Sequence, residues 1–185
     1  KHHQIDRHSV VSRLVAKDMS EAEYGPILVS LHLWLQAMKH YLAPLKLAEP
    51  YRLETKLAQL ETDIATLGYE TQSLNTISPH NEPHAFCLGV HYVIEGSTLG
   101  AQFIAPRIEE TLARQDVTHF YRGYGARVMP HWQGTRERID SELNTDLDRE
   151  NARKGAVLAF DSLVAIIDQQ VRLPDQFKEL GGRDA

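Results

Sequence analysis

The sequence has little of several features that mark common protein classes, and each shortage excludes one of them. A single cysteine, Cys87, cannot form an intrachain disulfide and fits a reducing, cytoplasmic location. Lys and Arg number 20 against 25 Asp and Glu, and this acidic balance argues against a nucleic-acid partner. No apolar run approaches the roughly 18 residues that suggest a transmembrane helix. We therefore expect neither a nucleic-acid partner nor a membrane span.

The motifs of common metal and nucleotide sites are also missing. There is no HExxH pair, and one cysteine cannot build a thiolate site, so zinc is disfavoured. A di-iron centre uses Glu-x-x-His pairs, and the nearest pattern is the single pair Asp116 and His119. No flavin or nicotinamide fingerprint occurs, so a redox activity would need a separate electron donor.

The sequence has no run of alternating apolar and polar residues long enough for a half-buried strand. Apolar residues instead recur at the spacings of three and four that are typical of helices. The pattern and the length of 185 residues predict one all-α domain. The predicted helices cover about 2–17, 20–42, 53–68, 84–113, 116–143 and 147–171. The tail after Pro174 is polar and is expected to fray.

Local signals set several helix ends. Ser20 and Glu23 form a capping-box pattern for the second helix. Pro26 follows closely, so that helix either kinks there or starts its regular part at Gly25. Gly68 is expected to end the third helix. Interruptions of the fifth segment are predicted near Gly123, Gly125 and Pro130.

The most informative stretch is 92–101, where Gly96 and Gly100 lie four apart on one helix face. Each glycine costs about 1 kcal/mol of helix stability relative to alanine, so two of them call for a compensating gain. Close approach supplies one, because no side chain stands between the backbone and its neighbour. That neighbour is more often another helix, but a flat ligand such as a macrocycle is the alternative.

A second candidate site opens the chain. His2 and Asp6 are four apart and share a helix face, where a carboxylate can orient an imidazole that binds a metal. Neutral imidazole is a suitable axial ligand for heme iron. Adjacent histidines near a terminus are also common as surface residues or tag remnants.

Together these segments resemble the heme oxygenase family, in its bacterial branch. Tyr92-Val-Ile-Glu-Gly96-Ser-Thr-Leu-Gly100-Ala101 is similar to the distal helix of that family, and His2-His-Gln-Ile-Asp6 to its proximal helix. A Trp132-x-x-x-Thr-Arg-Glu-Arg-Ile-Asp region before a last amphipathic helix supports the match over nearly the whole chain. The resemblance implies one domain over 1–185, an all-α bundle with heme between a proximal and a kinked distal helix.

The resemblance also implies roles for single residues. His2 is the proximal iron ligand, with His3 as the competing assignment and Asp6 as an orienting partner. Gly96 and Gly100 let the distal backbone lie against the heme, and Ser97 sits near bound O2 and its water. Residues implied at the heme are also Tyr92, Ala101, Arg136 and Arg138, with Tyr92 and one arginine at a propionate. Ala101 stands where the family often has a second glycine, and only Lys1 precedes His2, where the family often has a propionate-binding lysine.

The activity implied is oxidation of heme to biliverdin with release of ferrous iron and CO. Heme is then both substrate and cofactor, and iron enters through it. O2 is the oxidant, and a separate ferredoxin, flavodoxin or reductase supplies the electrons. Two alternatives stay open: a non-catalytic heme binder or carrier on the same fold, and a helical interaction protein without a cofactor.

Overall fold

The computed structural model describes residues 14–49, 51–73 and 81–180, with side chains described as far as residue 169. Within these ranges the chain has α-helices and short 3-10 turns but no strand, which confirms the all-α prediction. The helices are α1 (Glu21–Leu42), α2 (Leu53–Thr66), α3 (His84–Leu112), α4 (His119–Arg122), α5 (Val128–Glu142) and α6 (Asp146–Leu180), with 3-10 turns at Ala43–Leu45 and Gly125–Arg127. Most of the predicted first helix lies outside the described residues, which begin at the helical Leu14.

Helix α1 begins at its predicted cap and passes through its proline. The backbone N–H and the hydroxyl of Ser20 donate to the Glu23 carboxylate at 3.0 and 2.8 Å. The helix starts at Glu21, so the alternative start at Gly25 is wrong. Gly25 has a different role, because a Cβ there would lie 2.2 Å from the Tyr69 ring. The glycine lets the segment after α2 pack against α1.

Helix α2 ends as its glycine predicts. Gly68 has φ +78°, and its N–H donates to the Ala65 carbonyl at 3.0 Å. The N–H of Tyr69 donates to the Ile64 carbonyl at 3.1 Å. These two bonds form a Schellman motif, which only a residue that tolerates the left-handed region closes without strain.

The core forms where α3 packs along α6, with α1 across both. Two glycines allow the closest approach: a Cβ on Gly89 would lie 1.8 Å from the Ala152 carbonyl oxygen, and one on Gly155 would lie 2.0 Å from that of Phe86. Gly89 and Gly155 are therefore the glycines that allow α3 and α6 to pack closely.

The region 116–143 divides into α4 and α5 at Gly123 and Gly125, which both have positive φ. Their conformations let the chain turn between Arg122 and Val128, as predicted. The expected interruption at Pro130 is wrong, because Pro130 lies in the first turn of α5. A missing N–H costs no helical hydrogen bond there.

The last helix is longer than predicted. Helix α6 continues past 171 and through Pro174 to Leu180. Proline removes one backbone donor but does not by itself end a helix, as Pro26 in α1 and Pro106 in α3 also show. Among the described helices, none combines the length and apolar character that crossing a bilayer requires.

Candidate functional site

A cavity of about 470 Å³ lies between α3 and parts of α1, α2, α6 and the chain around α4. This volume is within the range of roughly 300–1,000 Å³ that is typical of small-molecule sites. Much of its wall is apolar, with Leu31, Trp34, Ile104, Phe160, Leu163 and Ile167 among the lining residues. Leu14, the first described residue, also lines it.

Helix α3 supplies the central wall of this cavity. The five site residues predicted on this helix all line it: Tyr92, Gly96, Ser97, Gly100 and Ala101. Their spacing on one helix explains why the sequence could group them, since residues three and four apart share a face.

The surroundings of Gly96 and Gly100 separate the two explanations for glycine in this helix. A Cβ added to Gly100 would meet no atom within 4 Å, and one on Gly96 would lie 3.5 Å from the Trp132 ring, at ordinary contact distance. Neither glycine therefore serves a close helix crossing, in contrast to Gly89. What they provide is two points, one turn apart, at which the backbone of α3 is bare on the cavity wall, and this favours the ligand explanation over helix packing.

Two other predicted residues have partners within the fold. The Ser97 hydroxyl donates to the Ile94 carbonyl at 2.7 Å, so its oxygen is left to accept a hydrogen bond from a ligand or water. Tyr92 packs on Trp132 with ring centroids 5.1 Å apart. Tyr92 is thereby held at the cavity wall by α5.

The predicted arginines lie elsewhere. Arg138 donates to the Glu142 carboxylate at 2.8 Å and to the Leu45 carbonyl at 3.0 Å, and Arg136 is exposed. Neither is among the residues that line the cavity, whereas the exposed Arg127 is. Sequence reasoning missed Arg127 because it belongs to a turn brought to the cavity by tertiary packing.

The proposed proximal residues His2 and Asp6, and the competing His3, lie outside the described residues. The structure does not support a di-iron centre at Asp116 and His119. His119 Nδ1 contacts Asp63 at 2.7 Å, and Asp116 is paired with Arg114 at 2.8 Å. In the part of the chain that the structure describes, no group of three or more candidate ligands could hold a metal ion.

A buried polar group that we term the lysine cluster, Lys56, Glu95 and Tyr124, was not predicted. Lys56 Nζ lies 3.0 Å from Glu95 Oε1, and the two side chains are only 8 % and 1 % exposed. The Tyr124 hydroxyl donates to Glu95 Oε2 at 2.8 Å and accepts from Lys56 Nζ. Lys56 and Tyr124 line the cavity, and Glu95 directly precedes Gly96.

Uncharged aromatic groups surround this cluster. Tyr51 contacts the rings of His91, Tyr124 and His131, and its hydroxyl donates to the His131 carbonyl at 3.1 Å. Burial, helped by the charges of Arg138 and Lys56, lowers the pKa of His91 to about 3. Burial likewise lowers the pKa of His131 and, with Glu95 beside it, raises that of Tyr124. At neutral pH the side chains of His91, His131 and Tyr124 are therefore uncharged, and they lie around the ion pair of Lys56 and Glu95.

The only sequence signal for this cluster was Glu95, an acidic residue in an otherwise apolar helix segment. Nothing in the nearby sequence indicated its partner. Lys56 reads as an ordinary exposed residue of an amphipathic helix, and its burial depends on contacts with α3 and the chain near α4.

The all-helical fold, with two glycines of α3 on the wall of a largely apolar cavity, defines a helical-bundle protein with a pocket of small-molecule size. The sequence model of the family described as heme oxygenase matches residues 1–169. The chain therefore belongs to the heme oxygenase family. This membership supports a heme-related function and suggests oxidoreductase activity. A search of curated proteins found no match.

Proposed function

We propose that this protein is a heme oxygenase, which binds heme in the cavity and converts it to biliverdin with release of ferrous iron and CO. The observation that carries the proposal is the surroundings of Gly96 and Gly100. These glycines weaken α3 without allowing a close helix contact, and they open its backbone toward the cavity. The family match extends over the same helix.

When bound, heme supplies the iron at which O2 is reduced and the ring that is oxidised. Electrons would come from a separate ferredoxin, flavodoxin or reductase. The chain itself would hold the iron through His2, with Asp6 orienting the imidazole. His3 is the competing ligand.

The cavity residues would position the ring and exclude water. Gly96, Gly100 and the small Ala101 allow close approach of the backbone, while Tyr92 borders the same wall. The apolar side chains from α1 and α6 keep bulk solvent from the ring.

The heme carboxylates need cationic partners near the cavity mouth. We propose Arg127 for this role, since it lines the cavity and has no ion-pair partner among the described residues. Arg136, which is exposed, stays a second candidate. Arg138 is the weakest of the three, because Glu142 already neutralises it.

An absorption spectrum recorded during turnover tests the proposal. The protein is loaded with hemin and given ascorbate, or a ferredoxin with its reductase, in the presence of catalase to remove free peroxide. We expect the Soret band to decay as biliverdin absorption appears. A Soret band that persists would leave a heme binder or carrier, and no spectral change on adding hemin would reject both heme functions.

A further inference from the structure

The lysine cluster is an unusual component for the wall of an apolar cavity. Removing two charges from water costs free energy, and their mutual attraction often does not recover this cost. Buried charge pairs in clefts are therefore candidates for function. Here the pair spans α2 and α3 and adjoins the glycine stretch through Glu95.

The Lys56 ammonium has N–H donors that its contacts within the fold do not use. An ammonium group has three N–H donors. The Tyr124 hydroxyl oxygen takes one of them, while the Tyr124 proton goes to Glu95 Oε2. Glu95 Oε1 lies 3.0 Å from Nζ as an ion-pair partner, without the geometry of a hydrogen bond. Its ammonium also lies 4.4 Å from the centre of the Tyr124 ring, but among the described residues it has no further hydrogen-bond acceptor, and it lines the cavity. A buried donor without a partner costs free energy unless a ligand or water accepts from it.

The other two members of the cluster fix this donor in place. Glu95 is 1 % exposed and is not among the cavity-lining residues, so its carboxylate holds Lys56 from behind the wall. Burial, together with the Glu95 carboxylate, raises the pKa of Tyr124, so the phenol keeps its proton at neutral pH. The ammonium is thus held by one hydrogen bond to Tyr124 and by the ion pair with Glu95.

We propose that Lys56 is the hydrogen-bond donor that this cavity presents to a small ligand bound at the heme iron, with Glu95 and Tyr124 as positioning residues. The ligand class is a diatomic molecule with a hydrogen-bond-accepting end, such as O2 or CO. The proposal rests on the proposed heme-binding function. A heme carboxylate could accept from the same ammonium, and the experiment separates these two acceptors.

The experiment measures the C–O stretching frequency of the CO adduct of the hemin-loaded, reduced protein. A positive donor near the ligand oxygen strengthens back-donation from iron and lowers this frequency. The variants are Lys56→Met, which keeps the stem and removes the charge, Lys56→Arg, which restores a cationic donor, and Tyr124→Phe, which removes one oxygen. The matched control is Lys39→Met, which breaks the exposed Lys39–Glu54 pair, 3.1 Å apart, outside the cavity.

We expect the stretch to move to higher frequency in Lys56→Met, by a smaller amount in Tyr124→Phe, and least in Lys56→Arg. Lys39→Met should match the wild type. The ratio of the affinities for hemin and for its dimethyl ester should be the same in Lys56→Met as in the wild type.

An unmoved stretch in Lys56→Met with hemin bound would overturn the proposal; if that variant fails to fold, an unmoved stretch in Tyr124→Phe overturns it instead. Selective loss of affinity for hemin over its dimethyl ester, with an unmoved stretch, would assign Lys56 to a carboxylate. If the wild type shows no Soret band with hemin, it is the proposed function that fails, before this inference is reached.

Discussion

Gly89 and Gly100 lie on the same helix but differ in what a methyl group would meet. At Gly89 it would overlap the Ala152 carbonyl of α6, whereas at Gly100 it would enter open space. The same residue type thus serves packing at one position and a ligand surface at the other. This difference can be measured without any heme.

In the heme-free protein, Gly100→Ala should raise the free energy of unfolding by about 0.5–1 kcal/mol, because alanine favours the helix and nothing obstructs it. Gly89→Ala should lower it by about 1–3 kcal/mol through overpacking. Urea unfolding measures both. Equal losses of stability in the two variants would show that Gly100 is also a packing residue.

His91 predicts a pH dependence of stability. Burial keeps its pKa at about 3 in the fold, against 6.5 for an unperturbed histidine. Above pH 6.5 the imidazole is neutral in both states; as the pH falls toward 3, only the unfolded chain gains the proton. The contribution to the free energy of unfolding should therefore fall by about 1.4 kcal/mol per pH unit in this window.

The variant His91→Gln removes this titration and keeps a polar side chain of similar size. Its unfolding free energy, measured between pH 4 and 7, should decline less steeply than that of the wild type. Parallel profiles for the two proteins would mean that His91 is accessible to protons in the folded state.

His2 predicts a spectroscopic signature. We expect His2→Ala to abolish the axial imidazole signal of the hemin complex in magnetic resonance spectra, because the variant lacks the proposed ligand. His3→Ala is the control and should retain the signal. The opposite outcome would assign the iron to His3.

Among the helices, the ends that local chemistry controls were predictable. The cap at Ser20 and the stop at Gly68 involve residues a few positions apart, so the sequence contains the whole interaction. The effect of Pro130 was misjudged, because proline removes no helical hydrogen bond in the first turn of a helix. The start of α4 could not be predicted from the local sequence, because the carboxylate that caps it belongs to another helix.

That cap is Asp63 of α2, which is fully buried. Its carboxylate accepts from the backbone N–H groups of His119 and Phe120 at 3.0 and 2.9 Å. Removing it in Asp63→Ala leaves both donors unpaired and should lower the free energy of unfolding by about 1–3 kcal/mol. Thr62→Ala, at the exposed neighbouring position, should change it by less than about 0.5 kcal/mol. A loss at Asp63 no larger than at Thr62 would show that α4 needs no cap.

Across the fold as a whole, the cavity joins parts that the sequence separates. The residues of α3 at the site could be predicted, because one helix carries them all. Lys56 and Arg127 could not, since packing of other segments against α3 brings them to the wall. Arg136 and Arg138 were named because the family resemblance implied them near the propionates, and sequence order does not show that Arg127 lines the cavity.

The proposed function requires heme to be held and cleaved against the face of α3 that carries Gly96 and Gly100. Absorption spectra of the wild type and of Gly100→Leu, recorded after addition of hemin and then a reductant, test this requirement. The wild type should form a Soret band that gives way to biliverdin absorption, whereas the leucine side chain should prevent the band from forming. A Soret band that persists in the wild type, or normal turnover in Gly100→Leu, would contradict the proposed function.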